Sequence, residues 1–143
     1  MEIRNFETSD IEGVEKLILD IYREAKYTMW FEAEPGRPEL DELLKFKIEM
    51  IKAGGAVDLV AIEDGRLVGE CETVKVYNQW KVGILVDREF RKKGIGSTLL
   101  EGSFQKLRGM GVEKVVVDIS QENSGAISFF TKKGFALKNS IDR

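Results

Sequence analysis

The chain has no histidine, one cysteine and two prolines in 143 residues. A lone Cys71 cannot close an intramolecular disulfide, so the fold must stand on packing, and a reducing cytoplasm is the expected compartment. With no imidazole to activate it, Cys71 is expected to be a small buried thiol rather than a nucleophile, and no metal site is expected. No apolar run approaches the ~20 residues of a membrane-spanning helix. Met1-Glu2-Ile3-Arg4 lacks the shape of a signal peptide, so no membrane partner is expected. Low-complexity segments and internal repeats are also absent.

What is present is a globular chain of one-domain size, spanning residues 1–143, with 43% hydrophobic residues. The formal net charge of −3 argues against a general nucleic-acid binder. Its distribution is uneven: residues 1–50 hold 7 Lys/Arg and 13 Asp/Glu, so the remainder carries a basic excess of 3. An acidic first third suits a cationic amine, or simply a solvated helix surface.

The basic part contains the most informative stretch. Val82, Ile84 and Val86 alternate as in a buried strand. Arg91, Lys92, Lys93, Gly94, Ile95 and Gly96 follow, and then Leu99, Leu100, Phe104 and Leu107 at helical spacing. A strand, a basic glycine-containing loop and a helix suit an anion, because the first helical N–H groups lack partners and sit at the positive end of the macrodipole. Glycines let a ligand approach the backbone itself. A Walker loop is excluded, because Ser97-Thr98 follow Gly96 with no lysine between. The dinucleotide fingerprint is excluded by Leu99, where a small residue is needed. On these residues alone, a turn whose glycines only solve a backbone problem stays open.

The rest of the chain reads as alternating elements. Glu2 to Phe6 suggests a first strand, and Ser9 with Glu12 has capping-box spacing before a helix carrying Ile11, Val14, Leu17, Ile18, Ile21, Tyr22 and Ala25. Tyr27 to Arg37 is irregular, its aromatics and acids forming either a lip over an amine or anchors to the core. Pro38 opens a second helix with apolar Leu40, Leu43, Leu44, Ile48 and Ile51, ended by Gly54-Gly55. Asp58 to Ile62 and Leu67 to Val76 form a hairpin through Asp64-Gly65, and a turn near Asn78 adds a third antiparallel strand. Val115, Val116, Val117 and Ile119 read as a strand covered on both faces. Asn123 caps a helix over Ser124 to Lys133, Gly134 ends it, and Phe135 to Leu137 begins another strand.

Two spaced motifs resemble the GNAT family of N-acetyltransferases. Arg91-x-x-Gly94-x-Gly96 after a strand resembles its coenzyme A pyrophosphate loop, and Asn123, Ala126, Phe130, Gly134 and Phe135 resemble its N-x-x-A-x-x-x-Y-x-x-x-G-F segment. The resemblance implies an α/β acyl-CoA N-acyltransferase fold: a mixed, mostly antiparallel central sheet with helices on both faces. The final C-terminal strand would be short or missing, and a homodimer is expected to cover the free sheet edge.

It also implies transfer of acetyl from acetyl-CoA to a primary amine, on a small molecule or a peptide N-terminus, by direct attack in a ternary complex. A CoA-binding sensor without turnover is the alternative. Backbone groups of Ile84, Leu85 and Val86 would meet the pantetheine arm, in a gap where the family's fourth and fifth strands splay. The loop Arg91, Lys92, Lys93, Gly94, Ile95 and Gly96 would hold the diphosphate. Asn123 would touch the arm, cap a helix, or both. Phe130 stands where many members have a tyrosine that protonates the thiolate; it packs on the arm or fills core. The family's early fourth-strand glutamate is Trp80 here, whereas the acid that N-terminal acetyltransferases place five residues before the asparagine is matched by Asp118. Asp118, in an apolar strand that would raise its pKa, is thus the expected proton acceptor unless it merely faces water. Glu70 and Glu72, on one face of a strand by the period-two rule, are the other candidates.

Overall fold

The computed structural model describes residues 1–24, 31 and 33–138. Its elements follow as β1 (Glu2–Asn5), α1 (Ile11–Glu24), α2 (Arg37–Lys52), β2 (Ala56–Glu63), β3 (Arg66–Val76), β4 (Gln79–Val86), α3 (Ile95–Gly109), β5 (Val115–Val116) and α4 (Ser124–Lys132). The sheet order is β1-β2-β3-β4-β5. The first four strands are antiparallel neighbours, and β5 is parallel to β4. The α/β, mostly antiparallel mixed sheet expected from the sequence is therefore observed.

Short connections explain the antiparallel run β2–β3–β4. Asp64 and Gly65 both have positive φ, 50° and 75°, the backbone a two-residue hairpin of matching twist requires. Tyr77 (φ 57°) does the same work between β3 and β4. The parallel β5 needs a crossover, which α3 supplies.

The sheet divides two apolar layers. On one face Leu59, Ala61, Val68, Val82, Ile95, Leu99, Leu100 and Phe130 form a buried cluster under α3 and α4. On the other, Phe6, Val14, Ile18, Leu40, Leu44 and Val60 pack beneath α1 and α2. Helices on both faces follow from strands that bury residues on both sides, apolar toward α3 and α4 and mixed with Asp58, Glu70 and Glu72 toward α1 and α2.

Several sequence expectations are corrected. Ser9 does not cap α1. Asp10 closes the turn instead, accepting from the Glu7 N–H at 2.8 Å and from Arg4 Nη1 and Nη2 at 2.8 and 2.9 Å. Leu43, expected on the apolar face of α2, is exposed, and the buried rung is Leu40, Leu44 and Lys47. The strand from Val115 is only two residues long, with Val117 and Ile119 packing on the core outside any ladder. Phe135 to Leu137 forms no strand; Phe135 stacks edge-on with Phe130 at 5.1 Å instead. Of the expected aromatic lip, residues 25–30 and 32 lie outside the described residues, while Phe31 packs against the α1–α2 layer.

Candidate active site

Two features of the backbone meet at one end of β4. The β4–β5 ladder consists of Trp80↔Val115 and Lys81↔Val116, after which the strands part. The β3–β4 ladder continues unbroken to Gly69↔Val86, and the Asp87 N–H donates to Val68 O at 2.8 Å. In an antiparallel pair successive residues address opposite neighbours. Asp87 and Leu85 therefore turn their amides toward β3, whereas Ile84 and Val86 turn theirs toward the gap. Of the three residues expected to present backbone to a ligand arm, Leu85 is thus the exception. Val86 O is held by Arg91 Nε at 3.0 Å.

The loop beyond β4 is held by Asp87, whose side chain accepts from the Glu89 N–H at 2.9 Å and from Arg66 Nη2 at 2.7 Å. Lys92 (φ 61°) and Gly94 (φ 82°) are left-handed, the backbone sign that anion-binding turns use. Gly94 is the N-cap of α3 and no side chain caps that helix end. A Cβ at Gly94 would meet nothing within 4 Å, so open space lies over the loop. The glycine of β3, Gly69, lets this first turn lie close to the sheet: a Cβ there would stand 3.3 Å from Ile95 Cγ2 and 3.2 Å from Leu99 Cδ1. Lys93 Nζ lies 5.2 Å from the centroid of the Phe90 ring. The free helix N-terminus, the left-handed turn and the open strand edge fit a diphosphate with an extended arm, which is the shape of a CoA thioester.

Arg91 is occupied differently from a plain phosphate-binding cation. Its Nη2 donates to Glu24 Oε1 at 2.7 Å, and its Nη1 pairs with Glu24 Oε2. Asn123 caps α4, its Oδ1 accepting from the Ala126 N–H at 3.1 Å. Phe130 is core, 6% exposed and edge-on to both Phe129 and Phe135. Cys71 is fully buried, and burial pushes its thiol up to about 12, which suits the structural role expected of it.

The three acids fall on one sheet face, that of α1 and α2. Glu70 and Glu72 are opposite Leu85 and Gly83, and both reach Lys47 Nζ, at 3.0 and 3.2 Å. Asp58 Oδ2 lies 3.0 Å from the same nitrogen, without the direction of a hydrogen bond. Burial pushes Asp58 up and Glu70 pushes it the same way, so it stays well above the usual carboxylate range despite Lys47. Burial also opposes ionisation of Glu70, but Lys47 and a hydrogen bond with Asp58 outweigh it and hold that carboxyl below its usual value. Glu72 is pushed up by burial, partly offset by Lys47. Lys47 is stabilised as the ammonium by Glu70, Glu72 and Asp58 against the cost of burial.

Glu70, 3% exposed, has no surface from which an amine could reach it, which removes it from the candidates for direct contact. Glu72 retains an exposed edge, 27% of its side chain. Asp118 is not walled by apolar groups: its side chain is 59% exposed and pairs with Lys81 at 3.0 Å. Sequence reasoning missed Lys47, Asp58 and Glu24. The rung 40–44–47 gave a signal for Lys47; nothing local gave one for Glu24, which meets its partner 67 residues away.

Three comparisons bear on this arrangement. The model of the acetyltransferase (GNAT) family matches residues 16–135. Among solved structures, the PaiA N-acetyltransferase of Thermoplasma acidophilum, in complex with coenzyme A, superposes with a TM-score of 0.85 at 20% identity, over 98% of this chain and 92% of that one. A GNAT-superfamily phosphinothricin acetyltransferase of Sinorhizobium meliloti, in complex with AcCoA, gives 0.82 at 18% identity, over 96% and 76%. A curated relative, N-alpha-acetyltransferase 30 of Dictyostelium discoideum, is 33% identical over 72 residues, 50% of this chain and 39% of that protein. The splayed strands, the amide-lined loop and the match across most of its length place this chain in the acetyltransferase (GNAT) family, whose acetyl donor is acetyl-CoA.

Proposed function

We propose that the protein acetylates a primary amine at a peptide or protein N-terminus by direct attack on the thioester, with Glu72 taking the amine proton. The observation that carries the reaction is the parting of β4 from β5 after Lys81 beside the uncapped N-terminus of α3. The donor supplies an activated carbonyl. Ile84, on the unpaired strand edge, turns an N–H toward the gap, where it stabilises oxygen as charge develops. The C–N bond forms as the C–S bond breaks, and the departing thiolate takes its proton from water, since Phe130 has none to give. The acceptor class is supported by the partial match to an N-alpha-acetyltransferase.

Glu72 is favoured over Asp118 by its surroundings. Glu72 stands opposite Gly83 of β4, and Asp118 meets Lys81, two residues back along that strand. Both carboxylates meet a lysine, Glu72 at Lys47 and Asp118 at Lys81, but burial raises the pKa of Glu72 from its usual value, the direction a working base needs. Release of free thiol from acetyl-CoA should be fastest with short peptides bearing free N-termini, against polyamines and free amino acids. Glu72→Gln should remove the acid limb of the pH–rate profile and Asp118→Asn should leave it. The reverse pattern would move the proton acceptor to Asp118, and amine-independent thiol release would end the transferase reading.

A further inference from the structure

The geometry points to Glu24 as a positioning residue of the donor site: through Arg91 it ties α1 to the end of β4 and fixes the shape of the diphosphate loop. This rests on the donor-site reading above. Arg91 sits at the first position of the loop motif, where a cation facing the phosphates would be the simple expectation. Its guanidinium is otherwise engaged. Both terminal nitrogens close on the Glu24 carboxylate, and Nε closes on Val86 O at 3.0 Å. The fork that would grip a phosphate in bidentate fashion already grips a carboxylate.

A strut is needed at this place. Lys92 holds a left-handed backbone, uncommon for a side-chain-bearing residue, at the bend of the loop. The loop bends there between a strand end and a helix start, and its amides are useful to a diphosphate only if they converge. Exposed ion pairs are usually worth little, but a two-pronged Arg–carboxylate pair with a third bond to a strand-end carbonyl is the favourable geometry. The Glu24 side chain is 24% exposed and that of Arg91 40%, so water competes only partly for either. Glu24 stands on α1, on the opposite sheet face from α3, so the pair joins the two layers at the donor site.

The test uses the full chain and two donors, acetyl-CoA and S-acetyl-pantetheine, which lacks the diphosphate. Glu24→Gln should raise the KM for acetyl-CoA about five-fold with kcat nearly unchanged, and leave kcat/KM for S-acetyl-pantetheine as it was. The Arg91→Met, Glu24→Gln double variant should be no worse than the poorer single variant, because both remove one strut. Tighter acetyl-CoA use by Glu24→Gln would show a carboxylate competing with the diphosphate and overturn the proposal. Equal losses with both donors, or additive losses in the double variant, would overturn it as well. Calorimetry of the unaltered protein with CoA separates the two readings: no binding there defeats the donor site itself, whatever Glu24 does.

Discussion

Asp58 shows how much one buried side chain can decide. It lies on β2 beside Glu70 and Glu72, which face a single cation, Lys47, so three carboxyl groups share one positive charge. Burial and the neighbouring Glu70 both favour keeping a proton on Asp58, from which it can be shared with Glu70. In the unfolded chain that proton leaves near 3.8, whereas the folded state keeps it to well above that value. Between the two, the native state binds more protons, so this group's contribution to stability falls as pH rises through the window. Glu70 has the opposite sign: its contribution is present above its unfolded value of 4.5 and is lost as pH falls through its lower folded value. Asp58→Asn keeps a donor toward Glu70 and cannot ionise. Its melting temperature should therefore gain on that of the unaltered protein as pH rises from about 5 to about 8. Thermal melts across that range decide the matter, and an offset independent of pH would mean that Asp58 is already ionised in the fold.

At the scale of elements, the loop before α3 separates two uses of glycine. Gly94 needs its left-handed φ of 82°, which costs a residue with a Cβ about 1–2 kcal/mol. Gly96 lies inside the helix, and a Cβ there would sit 3.5 Å from Phe129 Cζ, an ordinary contact. Gly94→Ala should accordingly lower stability by about 1 kcal/mol and raise the KM for acetyl-CoA. Gly96→Ala should be neutral or stabilising by up to about 1 kcal/mol, with a smaller effect on KM. Chemical denaturation and donor kinetics check both; equal destabilisation would mean that the loop relaxes to another backbone. These elements were legible because each has a local cause: Asp64-Gly65 demands a hairpin, Gly94-x-Gly96 a tight entry to a helix, and Asn123 a cap. The length of β5 was not legible, since an apolar run says that side chains are covered, not that a neighbouring backbone is within reach. Val117 and Ile119 are covered by the core while β4 has already turned away. Lys47 and Glu24 escaped for a related reason. A helix period assigns a residue to a face but does not reveal which charges the sheet holds opposite that face.

The whole molecule is a sheet with an apolar layer on each side, and the two layers are not equivalent. The α3–α4 side is closed by aliphatic and aromatic packing around Leu99, Leu100 and Phe130. The α1–α2 side includes a buried ammonium, with Lys47 Nζ lying 5.4 Å from the centroid of Phe6 and bound to acids on β2 and β3. Removing that cation leaves Glu70 buried and uncompensated, a loss of about 3–5 kcal/mol in such settings. Lys47→Met preserves volume and apolar contact, so its cost reports the charge alone. The loss should fall first where the contact is made. Native-state hydrogen exchange of Lys47→Met is therefore expected to show the amides of α1 and α2 losing more protection than those of α3, because Lys47 belongs to α2 and its acids face that side of the sheet. Uniform loss across all three helices would mean that the two layers open as one unit. Adding Asp58→Asn and Glu70→Gln to Lys47→Met removes the stranded Glu70 charge together with its acidic neighbour, and should return most of the lost stability even though four ionisable groups have become one. If it did not, the cluster would owe its worth to the shape of its hydrogen bonds and not to the balance of its charges.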